Sequence, residues 1–164
     1  MEDGKMAEVN MKKAKEVYKK LVGMLEKHGW SFDRHDDDLV ISSGVKGDDL
    51  PIEFIVVVNA KQQVAEFLSR LPFEMPEEKR VEGAVAVCAA NDGICDGSFD
   101  YNIRTGQITF RLTTSFCGET VLGEELFEYM IFVASATVDK YNDKFYLLAQ
   151  GGMSLSQFIE FADE

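Results

Sequence analysis

The stretch from Gly97 to Thr113, GSFDYNIRTGQITFRLT, constrains the fold of this chain more than any other. Two runs alternate between apolar and polar residues around a turn, which is the pattern of a β-hairpin. A four-residue loop at Ile103–Gly106 places Phe99 opposite Phe110 and Tyr101 opposite Ile108. Asp100 then faces Thr109 and Ser98 faces Arg111, so apolar and polar residues sort to opposite sides. A three-residue loop would put Phe99 and Tyr101 on the face of Thr109 and Arg111. Such a one-residue slip exchanges the buried and wet faces and is strongly disfavoured. The hairpin predicts Phe99 and Phe110 buried together, with Asp100 and Arg111 as diagonal neighbours on the wet face.

The flanks of the hairpin read as an alternation of helices and short strands. From Val9 to about His28 the apolar residues Met11, Ala14, Tyr18, Leu21 and Leu25 recur at three and four, and Lys12, Lys13, Lys19 and Lys20 fill the rest. This is an amphipathic helix with Asn10 as N-cap and Gly29 as its stop, and residues 1–8 are expected to fray. Short strands follow at Trp30–Asp33 and Leu39–Ser42 around the turn Asp36-Asp37-Asp38, and Gly44–Asp49 reads as a loop. Ile52–Val58 is a near-continuous β-branched and aromatic run, expected to be a central strand buried on both faces. Gln63–Leu71 fits both a helix and a strand, and the preceding tight turn favours strand. Pro72 and Pro76 bracket a connector. A second helix then starts at Pro76 and ends at Asn91-Asp92-Gly93, with Val81, Ala84, Val85, Cys88 and Ala89 as its buried stripe.

After the hairpin, Gly123 to about Ala149 forms a long helix that Gly151 and Gly152 break, and Ser154–Ala162 forms a short last one. Between Leu126 and Val138 the long helix is apolar on most sides. One sheet cannot cover such a helix, so Tyr129, Met130, Phe132 and Val133 are expected to form a dimer or partner surface. The element order is α-β-β-β-(β)-α-β-β-α-α, an α+β class with an antiparallel sheet packed by helices. At 164 residues it fits a single domain, 1–164, and a chain near that size buries roughly 70% of its unfolded surface.

Charge and cysteine content bound the function. The net charge is −12 and the pI about 4.6. Such a surface repels phosphate backbones and anionic lipid, so neither nucleic acid nor membrane is expected as a partner. Cys88, Cys95 and Cys117 are odd in number and lack CxxC spacing, which suits reduced thiols in a cytoplasmic protein, with Cys88 in the core. The first ten residues have no apolar segment of a signal peptide, and no run reaches the ~20 apolar residues of a membrane span.

No catalytic set emerges. Asp36-Asp37-Asp38 reads as a solvated turn, and Asp100-x-Asn102 fails as a calcium loop because Arg111 stands where the last glutamate belongs. His28 and His35 have no paired ligand spacing with each other or with the cysteines. Gly152-Met153-Ser154-Leu155-Ser156 lacks the final glycine of a nucleophile elbow. Gly118–Glu124 has phosphate-loop spacing, but Glu124 replaces the lysine and inverts the charge. No cofactor or metal is therefore expected. Asp100 and Arg111 remain as a polar patch, read as an ordinary cross-strand pair.

Several segments in order carry a resemblance to a known family. They are Leu71-Pro72-Phe73, Pro76-Glu77-Glu78-Lys79-Arg80, Asn91, Gly97-Ser98-Phe99-Asp100 and Gly106-x-Ile108-x-Phe110-Arg111. Trp30, Asp38-Leu39, Gly47-Asp48-Asp49-Leu50-Pro51 and Val138-Asp139-Lys140-Tyr141 fit the same pattern. From about Lys15 to Gln150 the chain resembles the YbjN-like family of bacterial proteins. It departs from that family at Gly123, where a Ser or Thr often caps the long helix. The resemblance implies a fold similar to type III secretion chaperones, commonly dimeric, and a role in sensory-transduction regulation with no catalytic residues to carry over. Fold does not fix function. The leading expectation is a non-enzymatic cytoplasmic protein-binding module, regulatory or chaperone-like, that forms a homodimer and meets an unknown protein partner. A small-ligand sensor, with Asp100 and Arg111 near the mouth of a pocket between sheet and long helix, is the alternative. A metal-dependent or hydrolytic enzyme is the remote third.

Overall fold

A computed structural model describes residues 2–118 and 122–163. The chain runs α1 (Glu2–Lys27), β1 (Phe32–His35), β2 (Val40–Val45), β3 (Ile52–Asn59), β4 (Val64–Glu74), a 3-10 turn (Glu77–Lys79) and α2 (Arg80–Asp92). It continues as β5 (Ser98–Asn102), β6 (Gln107–Ser115), α3 (Glu124–Gln150) and α4 (Leu155–Ala162). The six strands form one antiparallel sheet in the order β1-β2-β3-β4-β6-β5, so the fold is α+β. The ambiguous segment before Pro72 is strand.

Burial alternates along β3, with Ile52, Phe54, Val56 and Val58 inward and Glu53 and Ile55 exposed. The expectation that this strand is buried on both faces is therefore corrected. The helices cover one side of the sheet only, a common arrangement for antiparallel sheets. Phe54 and Phe67 stack at 4.7 Å on the covered side. There Phe99 also meets Phe110, Tyr141 and Phe145 edge-on, and Phe145 packs against Phe158 of α4 at 4.8 Å. Burying one such ring is worth on the order of 2–3 kcal/mol.

The hairpin has the register its alternation predicts: Ser98 pairs with Arg111, Phe99 with Phe110, Asp100 with Thr109 and Tyr101 with Ile108. Gly106 closes the loop at φ 83°. Its carbonyl accepts from the Met75 N–H at 2.9 Å, which ties the loop to the end of β4.

Several boundaries move. α1 begins at Glu2 rather than Val9, because its lysines, glutamates and methionines are good helix formers; where fraying is expected, residues 2–8 are helix, and residue 1 lies outside the described residues. Asn10 thus lies inside the helix and accepts from Gln63 Nε2 at 2.6 Å instead of capping. β1 shifts by two residues toward the carboxyl end, β2 begins one residue later than expected, and Leu39 turns the hairpin in the left-handed region at φ 55°. β2 runs through Gly44 and Val45, which the sequence reads as loop. β4 continues past Pro72 to Glu74 and shifts register between Arg70 and Glu74. A proline donates no ladder hydrogen bond, and a bulge is where a strand tolerates one.

The α2 stripe is also corrected. Gly83, Ala86, Val87 and Ala90 face inward, while Val81 is 72% exposed and Val85 and Cys88 are exposed. A Cβ on Gly83 would lie 2.7 Å from Met75 Cγ and 2.8 Å from the Tyr101 hydroxyl, so the small residues set the approach to β5. α3 starts after Gly123 and ends at Gly151, which adopts φ 76° as its C-cap. Ser154 and Gln157 form a capping box on α4. Residues 119–121 of the rejected phosphate-loop stretch lie outside the described residues.

Candidate functional site

The apolar surplus of α3 is divided by its packing. Phe127, Met130, Ile131, Ala134, Val138, Tyr141, Phe145 and Leu148 turn inward at helical spacing. Phe132 projects to solvent at 73% exposure and Tyr129, three residues earlier, at 49%. Val133 is half-buried. Met130 is 1% exposed, so it belongs to the core, and its expected place on a partner surface is corrected. A side chain 200° around the helix from Phe132 cannot share its face.

Phe132 borders an apolar groove of about 320 Å³, walled by Met24, Trp30, Val45, Ile52 and Ile131. The Asp48 N–H donates to Asp139 Oδ1 at 2.9 Å, which clips the β2–β3 loop to α3 at the rim. The Tyr129 hydroxyl donates to the Asp96 carboxylate, and that bond and the carboxylate charge raise its phenol above the ordinary value.

Asp100 and Arg111 meet on the uncovered face of the sheet. The Arg111 guanidinium donates from Nε to Asp100 Oδ2 at 2.7 Å and from Nη2 to Oδ1 at 2.9 Å. Phe99, next to Asp100, points the opposite way into the ring cluster of Tyr141, Phe145 and Phe158. The pair therefore does not stand at the mouth of a space between sheet and α3, as the ligand-sensor alternative requires. Aromatic rings fill that space.

The acidic turn after β1 is partly fastened. Arg34 donates to both Asp36 oxygens at 3.1 Å, and the Tyr18 hydroxyl donates to Asp36 Oδ1 at 2.9 Å. Burial, then the Asp36 hydrogen bond and charge, push the Tyr18 phenol up to about 12. The Arg34 and Tyr18 hydrogen bonds hold the Asp36 carboxyl below its usual range. No sequence signal connects Tyr18 to a residue 18 positions away. His28 is exposed 3.9 Å from Glu128, and His35 is exposed on edge strand β1. Among the described residues no three of His, Cys, Asp and Glu stand close enough to hold a metal ion.

The open face also carries side chains that the expectation for β3 concealed. Asp33, Ser42, Ile55, Leu68, Arg111 and Ser98 are successive register partners, one per strand, across the whole sheet. The legible signal was Glu53, a charge inside an otherwise apolar run and of the same parity as Ile55.

A model of the YbjN family, described as "Putative bacterial sensory transduction regulator", matches residues 19–147. No curated protein matches the chain. Among solved structures, the crystal structure of YbjN from E. coli, "a putative transcription regulator", is similar at a TM-score of 0.54 and 11% identity. The match covers 80% of this chain and 88% of that one. At that identity the likeness establishes the fold alone.

Proposed function

The chain belongs to the YbjN family, and on that premise we propose that it is a regulatory module that works in the cytoplasm by protein–protein contact and without catalysis. The observation that carries this reading is Phe132, a large apolar side chain 73% exposed beside the Trp30–Ile131 groove. A knob contiguous with a hole is self-complementary, so a second copy related by a two-fold axis can fill each groove with the other's Phe132. Tyr129 and Val133 extend the same surface. The net charge of −12 speaks against nucleic acid and anionic membrane as partners. No helix of the described residues is long and apolar enough to cross a membrane.

Sedimentation velocity of the wild type and of Phe132→Glu tests this reading. The expected result is a wild-type dimer that the exposed substitution converts to a folded monomer. A wild type that stays monomeric at about 100 μM, well above a typical micromolar dissociation constant, would remove self-association from the proposal.

A further inference from the structure

We propose that the uncovered face of the sheet is a second docking site, for a basic, apolar-alternating segment of a partner protein. This deepens the docking reading above but uses the opposite side of the molecule from Phe132.

A trough of about 1220 Å³ lies on that face, with Ser42, Ile55 and Leu68 along its floor. The bulged end of β4, Pro72–Glu74, lines it on one side, and Phe32 and Asp33 of β1 on the other. Strands stand about 4.8 Å apart, so the row from Asp33 to Ser98 is roughly 24 Å long. Its middle is apolar, where a solvated face of an antiparallel sheet is ordinarily polar. Ile55 and Leu68 are direct register partners there, and Ile55 is 37% exposed.

Charge selects the occupant. The two arginines of this face are already neutralised within it. Arg111 is held by Asp100, and Arg70 donates to Glu74 at 3.1 Å and to the Gln107 side-chain oxygen. Among the described residues, Asp33, Glu53 and Glu66 have no cationic partner within 4 Å. An apolar floor rimmed by the unpaired carboxylates of Asp33 and Glu53, with Glu66 outside the trough, favours a segment that brings Leu-like and Lys- or Arg-like side chains together. It disfavours acidic segments, nucleic acid and anionic lipid.

The test uses the full chain, isotopically labelled, and two synthetic peptides of alternating Leu with Lys or Leu with Glu. The Leu-Lys peptide is expected to shift the backbone amide resonances of Ser42, Ile55, Leu68 and Thr109, and to bind more weakly as salt is raised. The exposed double variant Asp33→Lys/Glu53→Lys is expected to weaken it about fivefold or more. Phe132→Glu is expected to leave it unchanged, which separates failure of this site from failure of the α3 surface. Shifts confined to other surfaces, equal binding of both peptides, or indifference to the double variant would each overturn the proposal. So would concentration-dependent shifts of Ile55 and Leu68 without peptide, which would assign the face to a second copy of the chain.

Discussion

Arg111 clasps Asp100 through two parallel hydrogen bonds, at 2.7 and 2.9 Å, from the neighbouring strand and two residues out of direct register. The fork matches a carboxylate geometrically, yet both side chains are more than two-fifths exposed. Water and salt screen such a pair. A double-mutant cycle with Asp100→Asn and Arg111→Gln is expected to give a coupling below about 1 kcal/mol, falling further in high salt. A coupling above about 2 kcal/mol would show that the pair does more than stabilise the sheet.

Tyr18 sets a pH dependence at the alkaline end. Its folded phenol is pushed up to about 12 from an ordinary 10.0, mainly by burial and then by Asp36. The folded state therefore favours the neutral phenol. That contribution is complete below pH 10 and is lost as pH rises from there through about 12. Denaturant melts of the wild type should show stability falling across this window, and Tyr18→Phe should flatten the fall. Asp36 acts at the opposite end, since its lowered carboxyl stabilises the fold above 3.8 and the effect is lost as pH drops. A wild type and a Tyr18→Phe variant with parallel alkaline profiles would refute the assignment.

Two glycines should respond in opposite directions to alanine. Gly106 has φ 83°, and a Cβ there would overlap the Met75 backbone. Gly106→Ala is expected to destabilise by about 2 kcal/mol or more, through left-handed strain and loss of the Met75 tie. Gly23 lies inside α1 with nothing within 4 Å of its would-be Cβ. Gly23→Ala is expected to stabilise by about 0.5–1 kcal/mol through helix propensity. Thermal or urea melts of the two variants decide both signs.

Asn142 is 1% exposed on the inward side of α3, and neither its Oδ1 nor its Nδ2 has a hydrogen-bond partner among the described residues. A buried amide so placed costs free energy that an apolar side chain of similar shape does not. Asn142→Leu should raise stability by about 1–2 kcal/mol in urea melts. A loss of that size would mean that the amide is satisfied in solution.

What the amino-acid order determined by itself was local and periodic. The hairpin register followed from Phe99, Tyr101, Ile108 and Phe110 needing one side of a two-residue repeat. The ends of α3 followed from Gly123 and Gly151, and the start of α4 from Ser154. Family-specific segments such as Gly97–Asp100 lay in the same readable class. Tertiary structure alone decided which of several apolar faces is buried. On α2 it chose Gly83, Ala86, Val87 and Ala90 over Val81 and Val85, and at Gly83 the Met75 and Tyr101 side chains leave no room for a Cβ. On β3 it left Ile55 in water, because helices pack on one side only. On α3 it sent Met130 inward and Phe132 outward. The physical reason is common to all three. Periodicity records the repeat of a helix or strand, but burial depends on neighbours brought from distant parts of the chain. Where a segment is apolar on more than one side, only those neighbours break the tie.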